Sequence, residues 1–502
     1  MLILIGTVFA WILLPFFPHR SQQDLHLQFG KVIFISLGTL LLWLLGLSRM
    51  RWKLRLLLLA GAVASIAATV GLFRIRGVTG NLVPILEPRW VHRNLKTPVP
   101  SQPSTATSNQ VVSIAGGGDF PQFLGPNRNG VLAGPNLGTN WSEVPPQLLW
   151  RQDVGAAWSG FAVSGSYAVT QEQRGEEELA VCYDLITGKA RWAHGNQTRY
   201  FTTLAGEGPR ATPTIAKDRV LVQGATGLLD CLDLATGRLI WSKDIFKEHQ
   251  GSVPSWGHSS SPLVNEGLVI VNPGGRPGKG LAAYKVEDGT LAWSSGDRGE
   301  SYSSPAIFTL NGVRQLVLFT DSLVGHDPIT GESLWRFRWP GGHPHIAMPV
   351  MVSDSDLVIS SGYGTGAGRV KIQRDSEKAW TATQVWRSNR MKAKFTNVIF
   401  HRGYLYALDD GIMACLDAET GAFKWKDGKY GHGQTLLVGE ILLVQAESGE
   451  VVLVDPQPDQ LREITRFTAL HSKTWNPPAL AGRYLIVRND KEAACFQMPV
   501  RP

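Results

Sequence analysis

The sequence predicts an all-β body, an eight-bladed β-propeller, preceded by about three transmembrane α-helices. Three observations carry this reading. An 11-residue pattern ending in Trp recurs five times in register, its Trp marks fall about 46 residues apart, as four-stranded blades require, and three apolar runs crowd the first 73 residues. Among 502 residues, 18% are charged and 43% hydrophobic, which excludes a wholly disordered chain, and 4 cysteines are too few for a disulfide scaffold. Lys+Arg number 49 against 41 Asp+Glu, a net charge of +8. Residues 1–118 hold 11 of the basic residues and only Asp24 and Glu87, leaving the remainder at −1. The basic total therefore reports the membrane segment, and the case for a nucleic-acid partner disappears.

The apolar runs are Leu2–Phe17, Val32–Leu47 and Leu56–Phe73. They predict helices near 2–17, 30–48 and 55–73 in a membrane anchor spanning 1–76, since a spanning helix needs about 20 mostly apolar residues. The first run is short and starts at the initiator Met, so it reads either as a cleaved signal or as a retained helix. No Lys or Arg precedes it, and Pro-Phe-Phe-Pro-His-Arg is a poor cleavage site. Arg49, Arg51, Lys53 and Arg55 crowd the link between the second and third runs. Positive links stay in the cytoplasm, which puts everything after Phe73 on the periplasmic or extracellular side of the cytoplasmic (inner) membrane. Residues 77–118 read as a flexible linker, with Thr97–Asn109 (TPVPSQPSTATSN) rich in Pro, Ser and Thr.

The propeller is predicted over 119–502. The repeated pattern is a small residue, then Asp two on, Thr-Gly after that and Trp at the end. It occurs at Cys182–Trp192, Cys231–Trp241, Ala283–Trp293, Gly325–Trp335 and Cys415–Trp425. Thr-Gly preceded by Asp makes a tight strand connection, because glycine supplies positive φ and the Asp side chain bonds turn amides. β-rich runs such as Arg219–Gln223 and Tyr404–Leu408 come before it, and a short strand with Pro precedes those. Trp150, Trp192, Trp241, Trp293, Trp335, Trp386 and Trp425 mark blade ends and are expected to dock between blades, with Ile464 as a degenerate eighth mark. The last unit, Pro477–Met498, lacks a fourth strand, and the orphan strand 147–151 is expected to supply it. This gives eight blades, with seven as the alternative count. Cys182, Cys231, Cys415 and Cys495 occupy equivalent small-residue slots in different blades, which predicts buried free thiols.

The Trp-terminated motif resembles the tryptophan-docking motif of the pyrroloquinoline quinone (PQQ)-like propeller family, within the quinoprotein alcohol dehydrogenase-like superfamily. The resemblance covers about 145–498, and Phe120–Gly130 (FPQFLGPNRNG) is similar to the lead-in segment of bacterial quinoprotein-like propellers. It implies the fold specifically. Function is implied far less, because the group holds both PQQ-dependent dehydrogenases and non-enzymatic scaffolds such as the propeller lipoprotein of the β-barrel assembly machinery.

In a propeller the residues just before each innermost strand ring the channel mouth. That rule selects Arg210, Trp256, His258, Ser259, Tyr302, Ser303, His345, Lys394, His432 and Trp475 as ligand-binding candidates, with Trp158, His343, Lys392 and Phe395 beside them. Flat rings with cations suit a planar anion such as a quinone tricarboxylate. The resemblance implies PQQ and Ca²⁺ for the enzyme members, yet Glu207, Asp297, Glu300, Asn397 and Asn476 are the only oxygen donors near the mouth and no motif assigns them. No catalytic residue is assigned and no metal site is expected. His343-Pro344-His345 has no third ligand in reach, and the glycine-rich stretches Gly362–Gly368 and Gly274–Gly280 precede no helix that would receive a phosphate.

The expected function is a membrane-anchored extracytoplasmic propeller acting as a binding or assembly scaffold without its own catalysis, with the membrane and an envelope protein as partners. Two alternatives stand beside it: a PQQ-dependent dehydrogenase of alcohols or sugars passing electrons to membrane quinone, and a glycan- or peptide-binding propeller.

Overall fold

In a computed structural model, residues 22–91, 118–297, 299, 302–375 and 379–501 are described. The N-terminal part contains two long apolar helices among the described residues, α1 (Gln22–Leu42, prolonged by a π turn over Trp43–Leu47) and α2 (Trp52–Leu72). The first apolar run, 2–17, lies outside the described residues, so the expected three helices become two here. Helix α1 starts eight residues before the expected position because the polar stretch from Gln22 to His26 continues its first turns. Both helices are long and apolar enough to cross a membrane, and their apolar side chains point outward all round. Arg55 closes the link between them: its Nε donates to Met50 O at 3.1 Å and its Nη1 to Leu45 O at 3.0 Å, satisfying carbonyls that the end of α1 leaves open. Phe73–Val78 then pairs antiparallel with Pro84–Pro88, so the first part of the expected linker is a hairpin. The Pro/Ser/Thr-rich stretch lies outside the described residues.

Eight sheets form the blades of the body, following one another in sequence order. Blade 1 is Ala162–Ser164, Tyr167–Arg174, Glu177–Asp184 and Ala190–Asn196, and blades 2 to 7 begin at Thr214, Leu263, Ala306, Val350, Ile399 and Gln434. Blade 8 takes Ala479–Ala481, Tyr484–Arg488 and Glu492–Gln497 from the C-terminal end and Gln147–Asp153 as its outer strand, with Cys495 opposite Trp150. The two distant stretches of chain therefore share one sheet, and the ring closes without an open edge. Buried Arg488 holds the seam with blade 1. It donates to Thr170 Oγ1 at 2.7 Å, to Gln171 O at 2.8 Å and to Gly155 O at 2.7 Å. Glu172, also buried, accepts from Tyr183 Oη at 2.6 Å and from Gly155 N at 2.8 Å.

The repeat chemistry matches its sequence logic. Asp184 Oδ1 accepts from Thr187 N at 2.8 Å, and Asp233, Asp327 and Asp417 repeat the contact with Thr236, Thr330 and Thr420. In blade 3, Asp288 reaches Thr290 N at 2.8 Å instead. Five of the indoles then donate to the following blade, while Trp293 packs its ring on Gly331 with no partner for its Nε1 among the described residues. Trp192 Nε1 donates to Leu234 O at 2.9 Å and Trp241 Nε1 to Val286 O at 2.9 Å, and Trp150, Trp386 and Trp425 do likewise toward Leu185, Ala418 and Gln457. The turn glycine ahead has a second duty. A Cβ on Gly188, Gly237, Gly289, Gly331 or Gly421 would fall 2.4–2.8 Å from the docked ring of Trp150, Trp192, Trp241, Trp293 or Trp386.

Two marks depart from this scheme. Trp335 does not dock on its neighbour, because blade 5 has no Asp-Thr-Gly turn to receive it. Its Nε1 donates instead to Gln315 Oε1 of its own blade at 2.6 Å, and the ring covers Gly325, where any Cβ would collide with it at 2.3 Å. Trp339 makes the contact in its place, with Nε1 bonded to Ser361 Oγ at 2.8 Å and its ring against Gly368. The degenerate eighth mark is Thr465, not Ile464. Thr465 pairs with Leu453, and Ile464 occupies the bulge that follows, pointing to solvent. All four cysteines are buried free thiols.

A belt of side-chain hydrogen bonds ties the starts of the innermost strands. Gly160 N donates to Thr212 Oγ1 at 3.2 Å, Thr212 N to Ser261 Oγ at 2.9 Å, Ser261 N to Ser304 Oγ at 2.9 Å, and Met348 N to Asn397 Oδ1 at 2.8 Å. Below the belt the lead-in segment crosses the axis. Phe120 bridges to Val163 of blade 1, Val131–Leu132 runs parallel to the inner strand of blade 7, and Arg128 reaches Pro262 O at 3.1 Å in blade 3 and Pro305 O at 2.8 Å in blade 4. Enclosure without a carboxylate pulls the Arg128 guanidinium down to about 9.

Candidate functional site

The structure sorts the ten mouth candidates into three groups. The first group spans blades 1, 6, 7 and 8. Trp475 lies 4.9 Å from the ring of Trp158 and 4.9 Å from that of Phe395, and Phe395 meets His432 edge-on at 5.4 Å. Lys473 Nζ sits 3.9 Å from the Trp475 ring and 4.6 Å from that of Trp158, while Lys394 Nζ sits 4.9 Å from Tyr363 and 5.2 Å from Phe395. Such placements use the negative faces of the rings to hold ammonium groups. Glu447 anchors the cluster, accepting from Trp475 Nε1 and from His432 N, each at 2.9 Å. Burial next to Lys394 takes His432 down to about 4, so the imidazole is neutral at pH 7.

The second group spans blades 2 to 4. The Arg210 guanidinium lies 4.4 Å over the ring of Tyr200, whose hydroxyl donates to Ser255 O at 2.7 Å. Trp256 N donates to Tyr302 Oη at 3.3 Å, and Ser259 Oγ to Tyr302 O at 3.2 Å. Desolvation takes Arg210 down to about 10. Glu178, on blade 1, is buried over the Gly224–Ala225 turn of blade 2 and accepts from Ala225 N at 3.1 Å, and burial pushes its carboxyl up to about 7.

His258, Ser303 and His345 form the third group, turned away from the channel into packing. His258 Nε2 bonds Asn272 O at 2.9 Å and its ring meets Phe246 at 5.6 Å. Ser303 Oγ donates to Ala347 O at 3.2 Å. His345 stacks on Phe319 at 4.6 Å with Nδ1 against Thr320 O, while His343 stacks on Tyr363 at 4.8 Å. The two histidines of His-Pro-His thus serve different aromatic neighbours.

Sequence reasoning missed Glu447, Lys473, Tyr363 and Tyr200. Lys473 was within reach, two residues before Trp475. Glu447 lies in the turn between the second and third strands of its blade, which reaches up to the mouth from outside the residues preceding the inner strand. Beside the lead-in segment the structure also shows a cavity of about 570 Å³, lined by Arg128, Asn129, Leu263, Ile307 and Met351 among others.

The residues present do not fit PQQ with Ca²⁺. Glu207 is paired with Arg199 at 2.9 Å, Asp297 with Arg336, and Asn397 Oδ1 with Met348 N. Asn476 spends its amide on Ala157 O at 3.0 Å and Ser159 O at 2.8 Å, leaving one buried oxygen without a partner among the described residues. Ca²⁺ takes six to eight oxygens, and these donors belong to different blades. Glu300 lies outside the described residues. Among the described residues no three His, Cys, Asp or Glu side chains are grouped to hold a metal. The rings of Trp158 and Phe395 each pack on Trp475 at 4.9 Å, whereas a planar ring held between either pair would need centroids about 7 Å apart.

The family of the outer membrane protein assembly factor BamB matches this chain over residues 176–427 and 320–497. The chain belongs to this family. BamB of Moranella endobia (strain PCIT) is 25% identical over 287 residues, covering 54% of this chain and 68% of its own length. BamB of Yersinia pestis is 22% identical over 312 residues, 58% of this chain and 70% of its own. Among solved structures, BamB from Moraxella catarrhalis superposes with a TM-score of 0.51 at 16% identity, over 70% of this chain and 98% of its own. A europium-containing methanol dehydrogenase does so with a TM-score of 0.57 at 12% identity, over 74% of this chain and 89% of its own. These superpositions share the PQQ-like propeller fold, whether the neighbour is a BamB or a dehydrogenase.

Proposed function

We propose that this chain is a membrane-tethered BamB-like propeller that binds protein partners in the assembly of envelope proteins and carries out no chemistry of its own. The observation that carries this is the state of the mouth. Apart from one buried oxygen of Asn476, its carboxylates and amides are engaged in holding loops, and the rings of Trp158 and Phe395 pack on Trp475, so the rim is a polar–aromatic face without a converging donor set among the described residues. The BamB family match supplies the class of partner. The anchor reading rests on α1 and α2 and on Arg49, Arg51, Lys53 and Arg55 around their junction, a charge pattern that supports a propeller on the outer side of the cytoplasmic membrane.

The test is site-specific photo-crosslinking in cells of the source bacterium. A photoreactive residue replaces Trp256 or Lys473 in the full chain. The expected products are adducts with a component of the β-barrel assembly machinery or with an unfolded outer-membrane protein, together with a fall in outer-membrane protein levels when the chain is depleted. Unchanged outer-membrane protein levels on depletion, with no adduct at either position, overturn the proposal.

A further inference from the structure

The hairpin that follows α2 leaves an apolar face exposed and a carboxylate buried. On one face, Ile75 stands opposite Leu86 and Phe73 opposite Pro88. These residues are apolar, and Ile75 is 53% exposed, Leu86 54% and Trp90, just beyond, 62%. The other face carries the charges. Arg74 Nη2 reaches Glu87 Oε2 at 2.9 Å and Arg76 Nε reaches Glu87 Oε1 at 3.8 Å, yet Glu87 is only 8% exposed. A two-stranded hairpin in water does the reverse and covers its apolar side chains. The hairpin is also fixed to the helices. Arg89 N donates to Leu72 O at 2.9 Å and Arg89 Nε to Val70 O at 2.9 Å, so a cation caps the carbonyl end of α2. At the hairpin tip, Asn81 O is 3.2 Å from His26 Nδ1 in the first turns of α1.

We infer that residues 73–91 form an interfacial foot whose apolar face, Phe73, Ile75, Leu86 and Trp90, lies in the headgroup–acyl boundary of the bilayer. The occupant is lipid because the exposed apolar face continues directly from α2, whose surface from Leu56 to Leu72 carries no charge, and because Trp with flanking Arg is the side-chain set that settles at this depth. The foot fixes the exit angle of the chain from α2. This inference rests on the proposed membrane anchor.

The test uses the full chain in phospholipid nanodiscs, with one nitroxide-labelled cysteine at a time at Ile75, Leu86, Val63 in mid-α2, or exposed Glu176 on the propeller. The native thiols do not interfere, since burial raises Cys231, Cys415 and Cys495 to about 12 and moves Cys182 in the same direction. Expected at both Ile75 and Leu86 is a ratio of oxygen to nickel-chelate collisions above that of Glu176 and below that of Val63. A ratio equal to that of Glu176, with Val63 deep, overturns the foot and leaves the anchor standing. Collisions with neither reagent at Ile75 and Leu86 also overturn it, because protein then covers the face. A water-like ratio at Val63 overturns the anchor itself.

Discussion

Gly237→Ala tests the interlocking of blades directly. Gly237 sits at φ +71 in the turn of blade 2, and an added Cβ would lie 2.5 Å from Cδ2 and Cε3 of Trp192. Two costs follow. Left-handed backbone costs an alanine roughly 1–2 kcal/mol. The contact is about 1 Å inside the usual carbon–carbon separation, so the indole must move. Trp192 is fully buried and cannot move without stretching its 2.9 Å bond to Leu234 O. Overpacking of this kind costs about 1–3 kcal/mol, and an indole N–H left buried without its acceptor costs about 1–3 kcal/mol more. Gly267→Ala is the control. Its φ is +80, and nothing lies within 4 Å of its ideal Cβ. Urea unfolding of the full chain in detergent, followed by far-UV circular dichroism, should show a loss of roughly 1–2 kcal/mol for Gly267→Ala and about 3–8 kcal/mol for Gly237→Ala. Equal losses would refute the claim that the turn glycine is a docking surface as well as a turn residue.

Three further outcomes follow from buried groups. Arg488→Met leaves three acceptors at the blade 8–blade 1 seam without their donor, and should cost about 3–5 kcal/mol in the same titration, whereas a cost below 1 kcal/mol would mean that the outer strand alone closes the ring. Glu178 rises to about 7 from 4.5, so its contribution is whole below pH 4.5 and is lost as pH rises through 7. Glu178→Gln should therefore gain up to about 3 kcal/mol at pH 8 and little at pH 4, and a pH-independent effect would contradict this. His258 is lowered to about 4 from 6.5 by burial, so its contribution is whole above pH 6.5 and is lost as pH falls through 4. His258→Gln should flatten the stability profile between pH 6.5 and 4 by up to about 3 kcal/mol, and an unchanged slope would count against a buried neutral imidazole.

The blades were readable because their signals are local. Asp, Thr-Gly and Trp lie within 11 residues, and each acts through a turn or a cross-strand pair. The failures came where a mark depends on its neighbour. Trp335 carries the same motif as Trp241, but where its indole goes is decided by the turn of blade 5, which lacks the receiving glycine. Ile464 misses the mark because the loop is longer: Trp241 pairs with Cys231, ten residues before it, whereas Thr465 pairs with Leu453, twelve before it. At the mouth, several consecutive residues precede each inner strand, and no period shows which of them face the axis. His258 and His345 share that run with Trp256 and Pro344, yet close contacts with Phe246 and Phe319 draw them into the blade interfaces. Glu447 was out of reach because it belongs to a different turn. The foot was hidden for another reason, since a short alternating hairpin next to a 21-residue apolar helix reads as linker composition.

We propose the mouth as a protein-binding face and not a cofactor site. The most direct measurement is calorimetric titration of the purified full chain with PQQ in the presence of Ca²⁺, paired with a dye-linked oxidation assay on alcohols and sugars. No binding heat at millimolar cofactor and no dye reduction are expected. Micromolar binding accompanied by substrate-dependent dye reduction would contradict it.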